Sequence, residues 1–574
     1  MLNPTRSLLT AVTALSVLSI GACSGGEVEK ARLVPNNQPL AEEIMAPWAS
    51  DIEPGVAVAV SLNDEVIFAR GAGLASIEHR LPITPDSVFQ AASLSKQFTA
   101  FAVFLLVSEG QVDLDADVRT YIPELPVTNP VITVRHLLDH TSGLREQNTL
   151  AAMAGWMPDD IHTRLQLFEL ITRQQGVNFP AGSEIEYSNT GYGLLAEIVA
   201  RVSGQSFSSF MEARVFNPLG MSQTHFPEDR NALIRDRATS YYPDDDGFRP
   251  VLAVSEATGS TGLYTSALDL LRWAENFETR EVGSADVFAM MAARFQAANG
   301  DVSTFGRGQE RRLYNGIETW SHGGRDAGYR SFLLRVPDRD IEVAVLSNRT
   351  DFDTAEMAFG LLDVFLGDDP EYGRQEIESW PPATPQQLDA YAGDYEVYPG
   401  VIFSIRTEKG GLTITSLGAS RDDLQAMPQV GPGEFLLNEF PEQVLIFDEP
   451  VDGQSPAFGV RHGLHGTIKV PRVELVAFDK DHVDLEDYTG RCFSHELNTF
   501  YDFSRIDDKL LAKHPRLSSF TLNPYQPDVF VGKGPLQKLE WLRDLEGQVT
   551  GFLASGTLAE GVQFICSKTS PRGE

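Results

Sequence analysis

Hydrophobic and polar positions change period several times along the chain, and each change marks an element. Residues 55–60 (Gly-Val-Ala-Val-Ala-Val) and 65–70 read as a strand pair. Residues 329–336 and 341–348 read as a second pair, and 353–366 as a closing helix. Residues 98–107 are apolar nearly all round, which predicts a buried helix. Over 41–367, then, strands mix with helices, as in an antiparallel sheet covered by helices. Residues 368–385 are acidic and proline-bearing, the composition of a linker.

Beyond the linker, short alternating runs are broken by Gly, Pro, Asn and Asp. Leu388-Asp389-Ala390-Tyr391-Ala392-Gly393-Asp394-Tyr395 is echoed 97 residues later by Leu485-Glu486-Asp487-Tyr488-Thr489-Gly490-Arg491-Cys492. Each copy opens a stretch of short strands. Two small antiparallel β-barrels, 386–477 and 480–573, are expected, with a single β-sandwich of about 190 residues as the alternative. Cys492 stands where the first copy has Tyr395, so the two modules are not equivalent.

At the N-terminus, Arg6 precedes an apolar stretch, 8–20, too short to span a membrane permanently. Ile20-Gly21-Ala22-Cys23 follows and resembles the lipobox of bacterial lipoproteins. The expectation is a signal peptide over 1–22, lipidation of Cys23 and a flexible tether over 23–40. The protein would then be exported and membrane-anchored, facing the periplasm from the outer membrane; ordinary secretory release is the alternative. No later segment is apolar for long enough to cross a membrane. The remaining cysteines, Cys492 and Cys566, lie near the start and end of the last module. An exported location permits a disulfide there, and free buried thiols are the alternative.

The 574 residues, 42% of them hydrophobic, suffice for several cored domains. Eighty acidic against 46 basic residues give a formal net charge of −34. That excess argues against nucleic acid and anionic membrane surfaces as partners, leaving the lipid anchor as the membrane contact.

Three short motifs carry candidate chemistry: Ser93-Leu94-Ser95-Lys96, Tyr187-Ser188-Asn189 and His322-Gly323-Gly324. A serine hydroxyl needs a neighbouring base to become nucleophilic. Residues three apart share a helix face, so Ser93 and Lys96 can meet. Burial in the apolar run pushes a lysine towards its neutral, basic form. On the residues alone, Ser93 could instead cap a helix, 184–192 could be a turn before a helix starting near Leu194, and His322 could be a turn histidine. His136 and His140 have the i, i+4 spacing of a metal pair, but no His-Glu-x-x-His is present. They are expected to pack or hydrogen-bond beneath the site, with no metal or cofactor.

The segment 89–100 around Ser93 resembles the nucleophile helix of class C β-lactamases and related serine hydrolases. Segments 135–144 and 259–270 are similar to two further blocks of that superfamily, and all five blocks arrive in family order between about 54 and 348. The resemblance implies a β-lactamase-type α+β catalytic domain with a helical subdomain carrying the tyrosine motif. It also implies Ser93 as the acylated nucleophile and Lys96 as its proton acceptor or relay. Tyr187 would pass the proton to the leaving group, and the Asn189 amide would bind a substrate carbonyl. The third motif would lie on an edge strand facing the serine, with the N–H groups of Ser93 and Arg325 as oxyanion hole. Gly323 and Gly324 would let substrate approach.

Members that act on penicillins or as carboxypeptidases usually carry a lysine where His322 stands, so esterase-like and aminopeptidase-like relatives fit better. A catalytic domain followed by two lipocalin-like barrels looks like the D-aminopeptidases of the superfamily. The expected activity is hydrolysis of peptides or esters, with D-amino acids included, through an acyl-enzyme at Ser93. The alternatives are a true β-lactamase and a non-catalytic module that binds penicillins or cell-wall peptides. The oligomeric state is left open.

Overall fold

Strand Val56–Leu62 alternates valine with alanine, and the alternation sets the two faces of the central sheet. In this computed structural model, residues 37–567 are described apart from 296–302, 304, 370–371, 374–379, 417–424, 440–441, 463–465 and 475–482. The leader, Cys23 and most of the tether lie outside the described residues, as does part of the linker.

The sheet has seven antiparallel strands in the order 65–72, 56–62, 341–347, 329–336, 317–326, 309–314, 305–306. Both expected strand pairs and the closing helix are present. Val56, Val58 and Val60 face helices Gln38–Met45 and Thr354–Leu366, packing with Phe332, Val343 and Leu362. Helix Gln38–Met45 corrects the tether boundary at residue 40. Its Ala41 and Met45 are buried in this layer, and Asn37 Nδ2 donates to the Val364 carbonyl at 2.7 Å. Folded structure therefore starts inside the stretch expected to be tether.

Ala57 and Ala59 face the other side, where small side chains admit helices Ala267–Thr279 and Ser95–Ser108 close to the sheet. Residues 95–106 are all buried, so this helix is the axis of the domain. Phe98 stacks on Trp273 with ring centroids 4.3 Å apart. Burying such a ring contributes roughly 1.5–3 kcal/mol, which favours one rigid orientation for the helix and whatever it carries.

The C-terminal modules are two separate sheets, which rules out the single sandwich. The first has nine strands; its two end strands, Gln425–Met427 and Gln429–Gly431, follow one another across Pro428, leaving the barrel nearly closed. The second is a closed eight-stranded barrel, shut where Gly490–Ser494 pairs with Ala559–Ser567. Cys492 lies opposite Cys566 at that seam and the two form a disulfide. The repeat copies both place a short helical turn before a first strand, and Tyr395 and Cys492 are both buried in those strands. No helix among the described residues is long and apolar enough to cross a membrane.

Candidate active site

Ser93 sits on a 3₁₀ turn, Ala92–Leu94, that runs into the N-terminus of the buried helix. Ala92 holds φ at 47°, a left-handed conformation costly for alanine, and Ser95 Oγ ties the turn by donating to the Ala92 carbonyl at 2.6 Å. The turn keeps Ser93 half-exposed while Lys96, one turn on, is wholly buried. Lys96 Nζ lies 3.3 Å from Ser93 Oγ, 2.7 Å from Asn189 Oδ1 and 2.8 Å from the Ser260 carbonyl oxygen. Burial lowers its pKa to about 7, against the opposing pull of Glu146 and Asp326. A neutral amine has two N–H donors and one lone pair. Asn189 and Ser260 accept the donors at the two shorter distances, which leaves the lone pair for the serine proton.

Ser188 explains the second motif. Its hydroxyl caps helix Asn189–Ser203 by accepting from the Gly191 N–H, so Tyr187 and Asn189 flank the helix start. This helix begins five residues before the Leu194 start considered from sequence. Gly191 and Gly193 weaken its first turn, and the cap together with close packing of Gly191 on Leu137 compensates. The Tyr187 phenol is buried beside the Ser93 side chain; burial raises its pKa above the usual value, which keeps it a proton donor. Lys96 Nζ lies over the Tyr187 ring, 4.6 Å from its centroid. Beneath it, His140 stacks on Tyr187 with centroids 4.7 Å apart, and its Nδ1 accepts from the Ser188 N–H at 3.0 Å. His136 caps helix Val134–Leu138, its Nδ1 accepting from the Thr133 N–H at 3.2 Å. Both histidines are thus structural supports.

The third motif corrects one expectation. Strand Ile317–Asp326 is interior to the sheet, flanked on both sides. Its pairing with Gln309–Tyr314 stops at Ser321, however, so 322–326 pair only with Tyr329–Val336 and behave locally as an edge. Gly324 is pressed against the serine turn: an added Cβ would lie 2.5 Å from the Ala91 carbonyl oxygen and 3.0 Å from Ala92 Cβ. Only glycine allows that approach, which presses this strand against the turn bearing Ser93. His322 is buried with Nδ1 2.8 Å from the Gly308 carbonyl oxygen. A carbonyl only accepts, so Nδ1 carries the proton.

Two participants escaped the sequence reading. Phe305 packs against His140, Tyr187 and His322 with centroids 5.2, 5.5 and 5.1 Å away, lining the site between the motifs. Glu146, buried, accepts from Asn189 Nδ2 at 2.8 Å and from the N–H groups of Asn148 and Thr149. Burial raises its pKa above the carboxyl norm despite these donors and the nearby Lys96 amine. It lies two residues past a recognisable block, as an uncommon glutamate N-cap, a signal too faint to single it out.

The closed barrel reaches this region. The Glu146 N–H donates to the Leu558 carbonyl at 2.9 Å, and Asn178 joins Leu558 and Glu560 backbone to the Glu186 carboxylate. Arg145 makes a buried 2.5 Å ion pair with Glu496 of the barrel, both side chains about 5% exposed or less.

Comparison with known proteins agrees with this architecture. The Beta-lactamase family model matches residues 40–364. A D-aminopeptidase of Gluconobacter oxydans (strain 621H) is 30% identical over 298 residues, 51% of this chain and 56% of that protein. This chain thus spans little more than half the length of that relative. A D-aminopeptidase of Brucella ovis is 25% identical over 531 residues, covering 89% and 95% of the two chains. The octameric penicillin-binding protein homologue from Pyrococcus abyssi shares the fold, with a TM-score of 0.52 and 22% identity over 84% of this chain and 98% of that one.

Proposed function

This chain belongs to the Beta-lactamase family, and from that membership we propose that it is a serine hydrolase acting through an acyl-enzyme at Ser93. The observation that carries the reading is the placement of Lys96 Nζ, held by Asn189 and Ser260 with its remaining valence towards Ser93 Oγ.

In the first step Ser93 Oγ bonds to the substrate carbonyl carbon and its proton passes to Lys96. The carbonyl oxygen takes the negative charge, facing the N–H groups of Ser93 and Arg325. When the bond to the leaving group breaks, Tyr187 donates its phenolic proton to that group and recovers one from Lys96. Water then attacks the ester by the reverse sequence and frees Ser93. This assigns the base role to Lys96, because burial lowers its pKa to about 7 while raising that of Tyr187.

The substrate is proposed to be a peptide, amide or ester with a free amino end, D-residues included. Two features support this. The third motif offers an imidazole in place of a lysine ammonium, so a substrate carboxylate finds no fixed positive charge there. Beside Tyr187, burial and the neighbouring carboxylates of Glu560, Glu184 and Glu146 hold Glu186 at about 7; a substrate ammonium would relieve that crowding. The D-aminopeptidase relatives point the same way. Lipidation at Cys23 would hold the enzyme on a periplasm-facing membrane; palmitate labelling that survives in Cys23→Ser would sink that part.

The decisive experiment treats the protein with a fluorophosphonate and locates the label. It should fall on Ser93, and Ser93→Ala should be unlabelled and inactive against D- and L-amino-acid amides and short esters. A label on another serine, or an active Ser93→Ala, overturns the assignment.

A further inference from the structure

Strand Ile317–Asp326 ends two residues past Gly324, the glycine pressed against the serine turn. Side chains two apart on a strand share a face, so Asp326 points to the side on which Gly324 meets that turn. There its carboxylate accepts from Thr261 Oγ1 at 3.0 Å. Thr261 follows Ser260, whose carbonyl takes Lys96 Nζ at 2.8 Å. One hydrogen bond therefore joins the strand of the third motif to the segment that holds the amine.

That segment, 257–263, belongs to no helix and no strand, so its contacts decide where the Ser260 carbonyl points. Gly259 and Gly262, with φ of 95° and 92°, bracket Ser260 and Thr261, and backbone stiffness does little to hold them. Two bonds fasten the segment to the buried helix: Thr99 Oγ1 donates to the Gly259 carbonyl at 2.8 Å, and the Leu263 N–H donates to Ser95 Oγ at 3.1 Å. The Thr261–Asp326 bond adds a tie to the central sheet.

Asp326 also acts through its charge. It and Glu146 both favour the protonated amine of Lys96, against burial. The rings of Tyr187 and Tyr192 face the same amine, 4.6 and 5.7 Å from Nζ. Around Asp326 stand Arg330 and the phenols of Tyr264 and Tyr329, with Arg237 beside the two phenols. Burial raises the pKa of both phenols, so they stay neutral. The Arg330 guanidinium donates to the Ala327, Tyr329 and Thr350 carbonyls. Burial raises the pKa of Asp326 itself, with Gln90 and Thr261 opposing.

We propose that Asp326 is a positioning residue of the hydrolase, an inference that rests on the function proposed above. Through Thr261 it holds the Ser260 carbonyl against Lys96, and with Glu146 it sets the charge around the amine. Loss of the tie would let the carbonyl drift and free an N–H of Lys96, so that the lone pair is no longer reserved for Ser93.

The test separates tie from charge, with p-nitrophenyl acetate as substrate of the full chain. Asp326→Asn keeps an acceptor for Thr261 and removes the charge. The acidic limb of its kcat/KM profile should move to lower pH by about half a unit or more. In the double variant with Glu146→Gln, the two displacements should add. Thr261→Val keeps the charge and removes the tie. Its kcat above the limb should fall about ten-fold, and Thr261→Ser should recover most of that loss. The threonine variants decide the matter should Asp326→Asn fail to fold. An unmoved limb in folded Asp326→Asn, or wild-type kcat in Thr261→Val, overturns the proposal. A wild type with no acidic limb near pH 7 overturns the base role of Lys96 instead.

Discussion

Glu146 fixes which end of the Asn189 amide faces Lys96. The carboxyl oxygen accepts from Nδ2 at 2.8 Å, so Oδ1 is the atom turned to the amine, 2.7 Å from Nζ. Were the amide reversed, Nδ2 would meet the donors of Lys96 and the lone pair would no longer be reserved for Ser93.

Glu146→Ala should therefore lower kcat/KM about 10²-fold, the scale of a misplacement near 1 Å in a reacting group. Glu146→Gln keeps an acceptor and should lose less. Glu146 raises the Lys96 pKa through its charge, so in Glu146→Gln the acidic limb of the pH profile should move to lower pH. An unmoved limb would show that the carboxyl does not act on the amine.

Because Lys96 serves as base in its neutral form, kcat/KM should rise with pH and level off above about 7. The sign follows from depression of an amine: below that value the ammonium has no lone pair to offer. Lys96→Arg should cost about 10³-fold or more at all pH values, since a guanidinium stays protonated. A profile falling through pH 7 would remove Lys96 from the base role.

Tyr187→Phe separates attack from leaving-group protonation. Amide hydrolysis should drop about 10²–10³-fold, because an amine leaves only when protonated. A p-nitrophenyl ester, whose leaving group needs no proton, should lose much less in the same variant. Equal losses would place Tyr187 in the attack step instead.

Removing one member of the buried pair, as in Arg145→Met or Glu496→Leu, should destabilise by about 3–5 kcal/mol, because the other charge is stranded. The double variant should recover most of that in a denaturant titration. Reducing the Cys492–Cys566 bond, which closes a span of 74 residues, should cost a further ~4 kcal/mol in the same assay. Deleting the closed barrel should change kinetics across a substrate panel; unchanged constants would show that it does not shape the site.

Much of this was legible locally. The apolar run after Lys96 announced a buried helix, the motifs picked out Ser93, Lys96 and Asn189, which the fold brings together, and alternating runs announced the barrels. Other features depend on contacts made far along the chain. Glu146 meets Asn189 across 43 residues and Leu558 across 412, and no periodicity records either. The local edge at His322 arises because Gln309–Tyr314 stops pairing at Ser321, a register fact that hydropathy does not carry. The helix at Asn189 was hidden by two glycines whose cost its serine cap offsets.

Arg145 and Glu146 share a peptide bond, and their side chains grip different bodies: that of Arg145 holds the barrel, that of Glu146 the Asn189 amide. An engineer exchanging C-terminal modules between homologues should not cut at the linker alone. The transferable cassette includes the hairpin around Leu558, Glu496 and the 145–178 segment that receives them. Chimaeras joined without that matching seam would inherit a misaligned reaction centre while every motif residue stayed in place.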